Sequence, residues 1–173
     1  QVNPAIWSYF TMLKFNFDEA WVGYSLGFVG LMVAIVQGGL IRMVIPLLGD
    51  WKALVIGFLF NIIGFVAFAY STQVWMLFAF IVPFSLGGFA GPALQGIISK
   101  QVPDNEQGEL QGSLTSLMSI SSIIGPPIFT ALFHFYTEAP SERFFPGSPF
   151  LLAAIICVVA AFLALRSYKK HHQ

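Results

Sequence analysis

The residues of this chain that could do chemistry inside a membrane are uncharged amides and hydroxyls: Gln37, Asn61, Ser85 and Gln95, with Ser113, Thr115, Ser116, Ser119, Ser121 and Ser122. Each falls within a long apolar run. An amide or hydroxyl placed there must find a partner, and it either bridges two helices or lines a cavity that holds water or a ligand. Both readings stand for each side chain. Gln37 and Asn61 are set apart because both fall near the middle of neighbouring runs. In the stretch 108–130, GELQGSLTSLMSISSIIGPPIFT, a helical period places Gly112, Ser116, Ser119 and Ser122 on one side and Leu114, Leu117 and Ile124 largely elsewhere. Such a small hydroxyl-bearing face serves close helix packing or borders a water-filled pathway.

Charged groups take up different places. Asp18, Glu19, Asp50, Asp104, Glu106, Glu109, Glu138 and Glu142 all lie in loops or at the ends of apolar runs. A proton relay needs a titratable group within the membrane, and no carboxylate of this chain reaches mid-depth. His134 falls near one end of its run, and His171 and His172 lie in a charged tail at the opposite face. Catalytic or metal-binding side chains must converge at one depth, so neither an enzyme nor a metal centre is expected. Cys157 is the single cysteine, without a CxxC or histidine partner, and reads as a small apolar residue. No residue pattern calls for a cofactor.

The elements that must position these groups follow from composition. Of 173 residues 57% are hydrophobic and only 9% charged, against about 25% charged in an ordinary soluble domain. The excess lies in 19 Phe and 16 Gly, which suit lipid-facing surfaces and helix contacts. Long unbroken apolar runs favour helices over a barrel, so the chain reads as an all-α membrane protein with the lipid bilayer as its first partner. Eight basic and eight acidic residues leave no basic stripe, which disfavours nucleic acid. The chain begins at Gln1 with no initiator Met or signal-peptide pattern, and a fragment of a longer chain is expected.

Residues 1–13 are too short to cross a bilayer, which takes about 20 residues, and read as the tail of a span, with Asn3-Pro4 disturbing its helix. Five complete spans follow at about 21–43, 53–70, 74–99, 109–134 and 149–166, within one helical bundle covering 1–173. Between the first two, 45–52 forms a connection, and 135–148 forms the longest loop. Alternating the ends places Arg42, Lys52, Lys100, Arg166, Lys169 and Lys170 on one side, with Lys14 and Arg143 on the other. The positive-inside rule makes the first side cytoplasmic, with the C-terminus.

Proline and glycine gather in the third and fourth spans. Pro83, Gly87, Gly88, Gly91, Pro92, Gly125, Pro126 and Pro127 would bend or break helices and release carbonyls, as where transporter helices line a cavity. Gly87 and Gly91 also have the spacing of a close helix contact.

With these motifs in place, the chain resembles the C-terminal half of a major facilitator superfamily transporter, and most closely the tetracycline/proton antiporter group of drug efflux proteins. The resemblance is carried by Gly91-Pro92-Ala93-Leu94-Gln95 with Ser99, Gln101 and Val102. It continues through Gln107-Gly108-Glu109-Leu110-Gln111-Gly112 and Ser116-Leu117 to Ile124-Gly125-Pro126 and Thr130. A weaker likeness covers Gln1 to Leu26 and Leu48-Gly49-Asp50-Trp51-Lys52-Ala53-Leu54, which is similar to the degenerate second copy of the superfamily's cytoplasmic loop motif.

The resemblance implies half of the superfamily's helical bundle, from the end of helix seven through helix twelve, with the N-terminal half as missing partner. It implies drug efflux by proton antiport through alternating access in a bacterial inner membrane, with a small amphipathic molecule and protons as cargo. Gln37, Asn61, Thr115, Ser116, Ser119 and Ser122 would line the substrate pathway, and Gly49, Asp50 and Lys52 would form the loop motif. The antiporters have an acidic residue in helix nine and a histidine in helix eight where this chain has Asn61 and Val33, while Gln37 matches their pattern. Pro46 replaces an Asp of the fuller loop motif and Trp51 a basic residue, so a weakened gate is expected. The alternatives are a transporter of small metabolites and, in another class, a non-transporting membrane subunit whose Gly/Ser faces only associate helices.

Overall fold

The computed structural model describes residues 4–137 and 144–171, so Arg143, Glu138, Glu142 and His172 lie outside the described residues. Every regular element among those residues is helical. The first, α1 (Pro4–Phe15), starts on Pro4, whose missing N–H costs nothing at the first helical position. Instead of disturbing the helix, Pro4 begins it. Asn16, with φ 52°, ends it in the left-handed region that asparagine tolerates. Asp18 then caps α2 (Glu19–Ile35), its carboxylate accepting from the Trp21 N–H at 2.7 Å.

At Val36–Leu40 the helix opens into a π turn and continues as α3 (Ile41–Leu48). Gln37-Gly38-Gly39 occupies that turn, and a glycine pair lowers the resistance of a helix to irregularity. The helix passes through Pro46, so Gly49 alone separates it from α4 (Asp50–Tyr70). Gly49 has φ 78°, which reverses the chain in one residue and strains any side chain there. A turn over 71–73 leads to α5 (Val74–Leu86), a 3₁₀ turn (Gly87–Phe89) and α6 (Ala90–Ser99). A second 3₁₀ turn (Asp104–Glu106) precedes α7 (Gln107–Thr137), which stays helical through Pro126 and Pro127, and α8 (Ser148–His171) ends the described chain.

Five of these rods are long and apolar enough to cross a membrane: Glu19–Leu48, Asp50–Tyr70, Val74–Ser99, Asp104–Thr137 and Ser148–Tyr168. The fold is therefore an all-helical membrane bundle. Its axis is α4, which buries Ala53, Leu54, Gly57, Gly64, Phe65, Phe68 and Ala69 against α5, α6 and α8. Rings fill the end of the bundle near Tyr70. Trp7 stands edge-on to Phe68 at 5.2 Å, and Phe10 to Phe150 at 4.7 Å. The Trp7 indole N–H donates to buried Ser25 Oγ at 2.9 Å, fixing α1 to α2. Lys14 Nζ donates to the Ala69 carbonyl at 3.0 Å, placing Lys14 at that same end. The opposite end gathers Asp50, Lys100, Trp51 and Tyr168.

Candidate functional site

Irregular helix gathers near the middle of the bundle: the π turn of the first span touches the 3₁₀ turn of the third, and the amide of Asn61 packs against the latter. Asn61 Nδ2 donates to the Gly87 carbonyl at 2.9 Å, and the Ala90 N–H donates to the same oxygen. A carbonyl loosened by the tighter turn is thus doubly satisfied. The contact admits no side chain on residue 87, because a Cβ there would lie 2.5 Å from Asn61 Cγ and Oδ1.

The same stripe of α4 carries two more close approaches. A Cβ on Gly57 would lie 2.6 Å from the Ala90 nitrogen, and one on Gly64 would lie 2.8 Å from Phe84 Cα. Gly57, Asn61 and Gly64 stand at i, i+4 and i+7, one above another on a helix, so α4 presses its flattest face onto the broken third span. Gly57 was open to sequence reasoning through this spacing, but a small residue in an apolar run signals nothing by itself. Val36, buried in the π turn, comes within 3.8 Å of where a Gly88 Cβ would stand, and Gln37 beside it is exposed. Asn61 therefore points into the helix contact, whereas Gln37 is the amide left open.

The hydroxyl face of α7 is arranged differently. Thr115 donates to the Gln111 carbonyl at 2.8 Å, Ser116 to Gly112 at 2.9 Å, Ser119 to Thr115 at 2.9 Å and Ser122 to Met118 at 2.9 Å. Each donor is satisfied four residues back on its own helix, so the exposed face offers oxygen acceptors and few free protons. Pro126 and Pro127 lack N–H groups, which frees the carbonyls of Ser122 and Ile123 from their usual helical bonds. None of α7 is buried; Leu117 and Ile124 on its apolar side are 61% and 54% exposed. Gly91 and Gly125 have open space where a Cβ would go, and Pro92 is exposed. Of the expected pair Gly87 and Gly91, only Gly87 makes a tight contact among the described residues.

At the end of the bundle bearing the loop motif, Asp50 lies in the first turn of α4 and forms an ion pair with Lys100. A carboxylate there also meets the positive end of the helix dipole. Its Oδ1 would stand 3.3 Å from a Cβ on Gly96, so that glycine lets α6 approach the acid. Gln107 spans the next connection, its Nε2 donating to the Ser99 carbonyl at 2.8 Å and to Val102 at 2.9 Å. Gln95 Nε2 donates to Gln111 Oε1 at 3.0 Å, linking α6 to α7. The residues that mark 91–112 in sequence thus hold one connection together. Lys52 is exposed and turned away from this network.

Among the described residues no cluster of His, Cys, Asp and Glu could hold a metal ion. A mid-depth layer of irregular helix, an amide bridge and an open face of acceptors are features of a membrane transport protein. The chain belongs to the Major Facilitator Superfamily, whose family model matches residues 2–173. It is similar to the class C tetracycline resistance protein of Escherichia coli, 33% identical over 159 residues that cover 92% of this chain and 39% of that protein. The class G protein of Vibrio anguillarum is 41% identical over 133 residues, covering 77% of this chain and 34% of its own length. The class H protein of Pasteurella multocida is 29% identical over 170 residues, 98% and 41% respectively. The chain thus spans well under half the length of these relatives. Members of this superfamily are transporters, not enzymes, and the five long apolar helices make the chain an integral membrane protein.

Proposed function

We propose that the chain is the C-terminal half-bundle of a secondary transporter that exports tetracycline-like amphipathic compounds by proton antiport through alternating access. The observation that carries this reading is the exposed acceptor face over Thr115–Ser122, which together with the open amide of Gln37 and the irregular layer offers polar contacts within an otherwise apolar bundle. Tetracycline resistance is the activity named for its relatives. The missing N-terminal half would close the pathway and rock against this one. It would also supply the proton-carrying carboxylates, because an amide at residue 61 cannot exchange a proton. The excess of basic residues at the end bearing Lys52, Lys100 and Arg166 supports a cytoplasmic position for it, and the bacterial relatives support an inner membrane.

The bond from Asn61 to Gly87 favours a second reading. Where the antiporters place an acid, this chain uses the position to join helices, as suits a transporter of small metabolites with no proton step in this half. Expression of the full-length transporter in a pump-deficient host separates the two. Raised resistance and lowered accumulation across amphipathic drugs support efflux, and an unchanged response to the whole panel refutes it. A subunit that carries nothing would show no flux to lose when Gln37 is replaced by Leu.

A further inference from the structure

An open groove lies away from the polar layer, where the start of α4 meets the end of α8. It has a volume of about 400 Å³ and is lined by Trp51, Lys52, Val55, Ile56, Leu165 and Tyr168. Lys52, Val55 and Ile56 share one face of α4 by helical spacing, and Leu165 and Tyr168 share one face of α8. Trp51 and Tyr168 rings stand 4.7 Å apart at the end that also carries the span termini. Indole and phenol rings favour the level of lipid headgroups, whereas Val55, Ile56 and Leu165 continue the wall along the spans into the hydrocarbon depth. The groove therefore grades from an interfacial mouth with one cation to an apolar trough.

The electrostatics select the occupant. Asp50 stands two residues, about 200° of helix, from Lys52, and its carboxylate is held by Lys100 beside Gly96. That carboxylate is paired with Lys100, so the ammonium of Lys52 is not neutralised by its nearest acid. Exposed Arg166 lies on the same closing turns of α8, and the sequence continues through Lys169 and Lys170. A second copy of the chain, docking about a two-fold axis, would bring these like charges together. A soluble anion would meet a single cation and a wall of hydrocarbon.

We propose that this groove binds an anionic phospholipid, with the phosphate of its headgroup at Lys52 and an acyl chain along Val55, Ile56 and Leu165. The site is independent of what the protein carries. It would tie the facing ends of α4 and α8, which also hold the loop motif, to the charge of the surrounding leaflet.

Native mass spectrometry of the purified full chain tests this with phosphatidylglycerol and phosphatidylcholine of identical acyl chains. The expected result is preferential retention of phosphatidylglycerol. Lys52→Gln lowers that retention about fivefold and leaves phosphatidylcholine unchanged, because one basic residue near a headgroup contributes that factor. Ile56→Trp fills the trough and lowers retention of both lipids, and helical content measured by circular dichroism confirms that both variants fold. Equal retention of the two lipids, or no effect of Lys52→Gln, overturns the proposal. So does displacement by glycerol phosphate, which would make the site one for soluble phosphate, or loss of a dimer without any change in lipid.

Discussion

Asn61 shows how far one side chain's role depends on its partner. Its Nδ2 is the donor to Gly87, so Asn61→Leu removes a half-buried hydrogen bond and leaves the carbonyl with Ala90 alone. The expected loss is about 1–3 kcal/mol, read as a lower midpoint in thermal unfolding. Gly87→Ala forces a Cβ into the Asn61 amide, and overpacking of this kind also costs about 1–3 kcal/mol. Gly91→Ala, with open space around it, should change that midpoint little. Asn61→Asp is the most informative substitution. A carboxylate would set acceptor against acceptor at the Gly87 oxygen, whereas the protonated acid donates as the amide does. N61D should therefore lose stability relative to wild type as pH rises and the carboxyl gives up the proton that makes this bond. A flat difference between N61D and wild type across pH 4–8 would contradict the bond.

The elements were largely legible in sequence, and the exceptions have physical causes. Apolar runs of membrane length reveal the rods, and the Pro/Gly cluster of the third span foretells its 3₁₀ break at Gly87–Phe89. Helix through 45–48 was not legible. Pro46 loses a single backbone bond within the helix, and Gly49 completes the reversal alone. The π turn at Gln37-Gly38-Gly39 was also hidden, because one extra residue in a helix leaves no periodic trace in a uniformly apolar run. At the site, depth was readable for Gln37 and Asn61, whereas direction was not: only packing shows one open and the other bound. At the loop end, Gln107 holds two backbone carbonyls, and Lys100, 74% exposed, contributes a solvent-screened pair. Gln107→Ala should therefore destabilise by about 1–3 kcal/mol and Lys100→Ala by under about 1 kcal/mol. Equal effects would mean that the ion pair, not the amide clamp, holds the connection.

For the whole molecule the decisive feature is α7, a long helix without a fully buried residue that carries both a hydroxyl face and an apolar face. Lipid suits the apolar side. In the complete transporter the hydroxyl side should border water and substrate. Single cysteines in a Cys157→Ser background test this. Ser119→Cys should react with a membrane-impermeant thiol reagent and be protected by substrate, whereas Leu117→Cys, on the other side of the helix, should react slowly, being set in lipid. Transport itself tests the central claim most directly. Everted vesicles containing the full-length transporter should accumulate tetracycline when an inward-acid proton gradient is imposed, lose that accumulation on adding a protonophore, and lose most of it in Gln37→Leu. Vesicles in which neither tetracycline nor any amphipathic relative accumulates above the gradient-collapsed control would contradict the account.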